Sequence, residues 1–294
     1  MAFSGIDDIV SEMGAGKRLR MNFTRTIDTG ATSVAGRWHS CMTTGGTGGA
    51  MTLTGTAGTG IVLNRSTAGA LPLNADVATD SRHLLSMYGM TPATTLVPAT
   101  LMLVDLIHVY PSCALVTTPS TMSNHPTWTG TGDTRMTSAE GVMVGILTTT
   151  ATTAGNGQIT ITYLDQAGAS STAGALYAPS TTTPTGCFWG AANAAVTLGA
   201  PFATLAAGDT GVQRVSSYAI NTGATSGVGA FLLYRPIAEI PLVAANTPGE
   251  RSFLNDVTTL PRVYDDSCLA LIVNVGGALT ASQTLTGNMV MAWG

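Results

Sequence analysis

The chain has 294 residues, a net charge of −4, and only 10% charged residues, where an ordinary soluble domain carries about 25%. That balance gives no electrostatic case for nucleic-acid binding, and no apolar run is long enough to cross a membrane as a helix. Such a length buries a sizeable core in one or two domains, under a polar, uncharged surface that suits lasting burial against partners.

Residues 4–13 read as a short amphipathic helix. Ser4 can cap it, Asp7 and Asp8 suit its first turn, and Ile6, Ile9, Val10 and Met13 share one face. Gly14 and Gly16 end it. The period then changes to two: Leu19, Met21 and Phe23 alternate with Arg18, Arg20, Asn22 and Thr24, as in a half-exposed strand. Lys17, the one lysine, forms a basic cluster with Arg18, Arg20 and Arg25. Residues 1–26 are expected to be a helix and arm, or equally a cap on the main body. They lack the basic start and apolar stretch of a secretory signal.

Short strands are expected at 36–39, 51–53 and 61–63, between Gly- and Thr-rich turns. Residues 80–89 have helical propensity, but comparison with a later stretch argues for a strand at 84–88. Residues 101–110 form a nearly continuous apolar run. Over 142–165 two alternating runs flank Gly155-Asn156-Gly157, the signal of a tight hairpin. Residues 168–211 are rich in small and polar residues, with Phe188, Trp189 and Phe202 as anchors, and read as a connection packed on the surface. From residue 212 strands recur to the end, and Trp293 marks the last as paired into a sheet.

One β-rich unit occurs twice in this order. Leu84 to Tyr88 matches Val215 to Tyr218, and the run Leu101 to Pro111 matches Phe231 to Ile237. Gly141 to Leu147 matches Cys268 to Val273, and Ile159 to Tyr163 matches Met289 to Trp293. The spacing is that of a duplicated subdomain rather than a short solenoid repeat. The fold class is therefore all-β: a jelly roll or β-sandwich built from two related β units, with a short N-terminal helix or arm. The expected divisions are 1–26, 27–167, a connecting segment 168–211, and 212–294.

No motif for chemistry survives inspection. Gly14-Ala15-Gly16-Lys17 lacks the first glycine of a phosphate loop, Ser11 standing there, and has Arg18 where Ser or Thr would hold magnesium. His39 and Cys41 could face one side of a strand, but two ligands make no metal site. His83, His108 and His125 stand apart in sequence. Asp265-Asp266 reads as a turn pair bonding backbone amides or Arg262 rather than a calcium or glycosidase site. Cys41, Cys113, Cys187 and Cys268 are scattered and read as free buried thiols. No catalytic, cofactor or metal site is expected.

Several segments together resemble a family of tailed-bacteriophage virion structural proteins: Ala35 to Trp38, Leu103 to Pro111, Gly141 to Met143, Gln158 to Tyr163, Ala207 to Val212 and Met291 to Gly294. The best match is Leu260-Pro261-Arg262-Val263-Tyr264-Asp265-Asp266, which in that family ends in glycine where this chain has Asp266. A similar turn in the first unit has drifted over Trp128 to Glu140. The resemblance implies a structural role in the virion, on the phage head, after assembly in the host cytoplasm. Such a cement or decoration protein would bind the major capsid protein and itself, as a homotrimer, with no specific nucleic acid and no membrane. A tail, collar or fibre component is the alternative, then a virion glycan-binding module or enzyme. The expected contact residues are Ile6, Ile9, Val10, Lys17, Arg18 and Arg20. Pro261, Arg262, Tyr264 and Asp265 are expected to build a structural turn.

Overall fold

A computed structural model describes residues 3–28, 35–74, 77, 80–116, 120–128, 135, 138–153, 157–178, 183–191, 199–222, 226–256, 259–279 and 282–294. The chain opens on helix α1 (Ile6–Gly14) and strand β1 (Arg18–Thr26), then β2 (Arg37–Ser40) and β3 (Ile61–Val62). Next come β4 (Arg82–Met90), β5 (Ala99–Ala114), β6 (Ser120–Thr121), β7 (Met143–Thr153) and β8 (Gln158–Asp165). Two short strands, β9 (Ser170–Thr172) and β10 (Leu176–Tyr177), precede β11 (Val212–Thr222) and β12 (Ser226–Leu242). The order closes with β13 (Gly249–Ser252), the helical turn α2 (Phe253–Asp256), β14 (Arg262–Val263), β15 (Cys268–Val275) and β16 (Thr284–Trp293). The protein is all-β, with antiparallel sheets packed as sandwiches.

The central sheet runs β2-β15-β5-β12-β7, with β3 beside β5. One outer sheet runs β1-β16-β4-β13 with β14 beside β4, and the other runs β10-β8-β11-β6 with β9 beside β8. The long strands β5 and β12 serve both sandwiches. Leu101 and Leu103 of β5, with Ile240 and Leu242 of β12, meet Met21, Leu84 and Met291 of the first outer sheet. Farther along, Ile107, Tyr110, Phe231 and Leu233 meet Ile161, Tyr163, Val215 and Tyr218 of the second. Met102, Val104, Leu106 and Leu232 face the other way, under Met42, Met51, Leu53 and Phe188. The 101–110 run shows no alternation because both of its faces are covered. Each fully buried Leu, Ile or Phe there contributes about 1.5–3 kcal/mol.

The main ladders keep their pattern when the two halves of the chain are exchanged, while β2, β3, β9 and β14 have no counterpart strand among the described residues. β5 pairs with β12. β15 pairs with β5 as β7 does with β12, and β16 with β4 as β8 does with β11. β13 pairs with β4 as β6 does with β11, and β1 with β16 as β10 does with β8. The two halves are interlocked: each outer sheet takes strands from both.

Three expectations need correction. β7 and β8 do not form a hairpin; β7 pairs with β12 and β8 with β11, in different sheets. The two arms of the turn signal lie in the central sheet and in an outer one. Gly155 and Asn156 lie outside the described residues. Residues 51–53 form no strand, although Met51 and Leu53 are buried under the central sheet. The segment 168–211 is not a surface connection: it contains β10, the counterpart of β1, and Trp189, which has no exposed surface. The four cysteines are free and buried, and burial pushes the Cys113 and Cys268 thiols up to about 12.

Candidate docking surface

α1 lies on the outer face of the first outer sheet. Ile9 is buried against Leu85 and Ala292, with Phe3, Met13 and Val290 packed around them. Ile6 and Val10 share the helix face with Ile9, yet each is 64% exposed. The apolar stripe is wider than the strip of sheet beneath it: Ile9 and Met13 pack on the sheet, and the flank formed by Ile6 and Val10 stays uncovered. Gly5, not Ser4, occupies the N-cap position, and it makes no side-chain cap bond. Ser4 instead donates from its N–H (2.9 Å) and its hydroxyl to the Asp8 carboxylate, which holds that carboxyl below its usual range. Residues 1–26 are thus no detached arm: β1 pairs with β16 along its whole length.

The basic cluster divides. Lys17 bonds Asp80 and Glu12, both at 2.9 Å, and these bonds raise its pKa. It ties the end of α1 to residue 80. Arg25 is fully buried and donates to the Gly49 carbonyl at 2.5 Å and to that of Gly69. Arg18 and Arg20 are exposed on β1, and neither meets a carboxylate among the described residues. Of the expected contact residues, Ile6 and Val10 on α1 and Arg18 and Arg20 on β1 are exposed, Ile9 is buried as the helix's anchor, and Lys17 braces the helix end.

A cavity of about 350 Å³ opens beside the start of α1, lined by Phe3, Ile6, His83, Phe253, Leu254 and Leu260 among others. His83 Nδ1 lies 3.3 Å from the Leu260 carbonyl, and its ring centre is 5.6 Å from that of Phe3. Burial, aided by the nearby Arg262 and opposed by the Leu260 bond, holds its pKa below the ordinary 6.5. The unfolded chain therefore takes up this proton first. The stability that neutral His83 contributes is complete above its ordinary pKa and is lost as pH falls from that value through the lower one of the folded chain. The melting temperature should fall between about pH 7 and about pH 5, and His83→Phe should flatten part of that fall. An unchanged slope in that variant would assign the effect elsewhere.

The turn at 260–266 closes the same end. The Pro261 carbonyl accepts from Leu84 N–H (2.9 Å), and Arg262 and Val263 pair with β4. The guanidinium carbons of Arg235 and Arg262 each lie 4.6 Å from the centre of the Tyr264 ring, and Arg235 donates to the Arg262 carbonyl at 2.9 Å. Asp265 meets Arg82 at 3.4 Å, while Asp266 meets Arg65 at 3.6 Å. Each carboxylate faces its own arginine, so the pair does not converge on a shared point.

Beneath the turn lies a network that the sequence did not reveal. Asp105 of β5 is fully buried; it accepts from Ser267 Oγ (2.7 Å), Cys268 N–H (2.9 Å) and Arg135 Nη1 (3.2 Å). Arg135 also donates to the carbonyls of Leu106 (3.2 Å), Ile107 (3.3 Å), Asp266 (3.0 Å) and Leu63. One side chain thereby joins four stretches of chain. The histidines are likewise built in. His39 and His108 are fully buried, His108 Nε2 lies 3.0 Å from the Asn124 carbonyl, and the Tyr110 hydroxyl lies 3.0 Å from His125 Nδ1. Among the described residues, no three His, Cys, Asp or Glu side chains converge as metal ligands. What these exposed residues offer is contact: two apolar side chains on α1 and two cations on β1.

No family model matches the chain, and no curated protein matches it. Among solved structures, one of infectious bursal disease virus Gt strain aligns with 94% of this chain and 81% of its own, at 8% identity and a TM-score of 0.18. The VP2 subviral particle of infectious bursal disease virus aligns with 94% of this chain and 80% of its own, at 9% identity and a TM-score of 0.17. Overlap that low carries no argument about fold or function, and both rest on the residues of this chain.

Proposed function

We propose that this chain is a structural protein of a tailed-phage virion, a cement or decoration protein on the outer face of the head. It would bridge subunits of the major capsid protein and associate with copies of itself as a trimer. The observation that carries the reading is the exposure of Ile6 and Val10 on α1 and of Arg18 and Arg20 on β1, on a body whose two sandwiches share one sheet. A shared sheet resists shear between the sandwiches, and many weak bridges sum to strong retention on a shell. The likeness of Leu260 to Asp266 to the phage family's turn supports the same reading, because that turn here braces the end of the molecule that carries α1.

Two measurements test it. In purified particles, the copy number relative to the major capsid protein should be of the same order; a few copies per particle would favour a tail, collar or fibre component. The Ile6→Glu/Val10→Glu variant should fold normally, since both side chains are exposed and such changes stay within about 0.5 kcal/mol. Its attachment to shells lacking the protein should weaken at least about tenfold, or about 1.4 kcal/mol. Unchanged attachment would remove α1 from the contact.

A further inference from the structure

We infer that the N-terminal half of β1 is an open sheet edge that takes up an extended, carboxylate-bearing segment of a partner protein as an added strand. β1 is the outermost strand of its sheet. The Lys17 carbonyl accepts from Trp293 N–H (3.3 Å) and Ile27 N–H donates to the Gln283 carbonyl (2.9 Å), so odd-numbered backbone groups point inward to β16. Even-numbered groups point outward. Thr24 shows this: its N–H donates to Thr47 Oγ1 (2.9 Å), and its carbonyl accepts from Thr47 N–H (2.8 Å). The chain thus covers its own edge at Thr24. Among the described residues nothing bonds the outward N–H and carbonyl groups of Arg20 and Asn22.

The other half of the molecule sharpens the point. At β10, the counterpart of β1, Tyr177 N–H donates to the Gly190 carbonyl (2.8 Å) and Gly190 N–H to the Tyr177 carbonyl (3.1 Å). That edge is closed, whereas the first half of β1 is not.

The side chains specify the occupant. Arg18, Arg20 and Asn22 are exposed on one face of the strand, while Leu19 is half-buried on the other. An added strand would set alternate residues beside the arginines and the intervening ones beside Leu19. Carboxylates suit the first set and apolar side chains the second. A second copy of β1 fits poorly, because antiparallel registers centred on residues 19 to 21 put arginine opposite or diagonal to arginine. The arginines thus bar self-pairing and admit an acidic strand. The inference stands on the edge itself and holds whether or not the partner is a virion protein.

The probe is a blocked peptide of alternating Asp and Val, with a Lys and Val peptide as control. The acidic peptide should slow exchange of the Arg20 and Asn22 amides by about tenfold or more, and the basic peptide should not. Arg20→Pro removes an outward N–H that β16 does not use, a change an edge strand tolerates. It should weaken acidic-peptide binding about tenfold or more at an unchanged melting temperature. The Arg18→Glu/Arg20→Glu variant should reverse the peptide preference and decides the matter if Arg20→Pro fails to fold. Failure of the acidic peptide to bind, equal binding of both peptides, or binding without protection of those two amides would overturn the inference.

Discussion

Arg135→Ala is expected to destabilise the fold by about 3–5 kcal/mol, measured by urea unfolding. The substitution strands the fully buried Asp105 carboxylate and leaves the carbonyls of Leu63, Leu106, Ile107 and Asp266 without their donor. A lost partner for a buried charge costs more than the pair itself is worth. Asp105→Asn in the same chain removes the stranded charge while keeping an acceptor for Cys268 N–H. The double variant should therefore be more stable than Arg135→Ala alone, a coupling that two independent residues would not show. A loss below about 1 kcal/mol for the single variant would mean that Arg135 does not pin β5 to the 260–266 turn.

Trp189→Ala should cost about 3–5 kcal/mol, as large-to-small changes of buried aromatics do. The Trp189 side chain has no exposed surface, and its Nε1 donates to Thr148 Oγ1 at 3.1 Å. Its ring packs so close to Gly157 that a Cβ there would lie 2.7 Å from it. Because β5 and β12 belong to both sandwiches, the loss should lower one cooperative transition. Calorimetry that resolved two transitions would show that the sandwiches unfold separately and that the shared sheet does not couple them.

The sequence was legible where a strand or helix carried its own period. The alternation of Leu19, Met21 and Phe23 located β1, and the unbroken apolar run from Leu101 located the strand with both faces covered. The repeat correctly overrode helical propensity at 84–88. What stayed hidden was everything set by distant partners. The turn signal at Gly155-Asn156-Gly157 is local and carries no information that β7 and β8 join different sheets. β10 is two residues long and has no period, so the second half seemed to begin at residue 212. Asp105 was concealed by the apolar run around it, and Arg135 by a stretch of Thr and Gly with no periodicity. The helix face was read correctly, but spacing alone cannot say how much of an apolar stripe a sheet will cover. That is why Ile6 and Val10 came out exposed and Ile9 buried. Lys17 looked like a free cation because Asp80 is distant in sequence.

The proposed function makes this interlocked β block a building part of a phage head, attached through α1 and β1. Electron cryomicroscopy of intact particles that carry the chain tests it most directly. The expected result is density for the block at every equivalent position on the outer shell, with Ile6, Val10, Arg18 and Arg20 against capsid subunits. Density confined to the tail, or blocks on the shell with those four residues facing solvent, would contradict it.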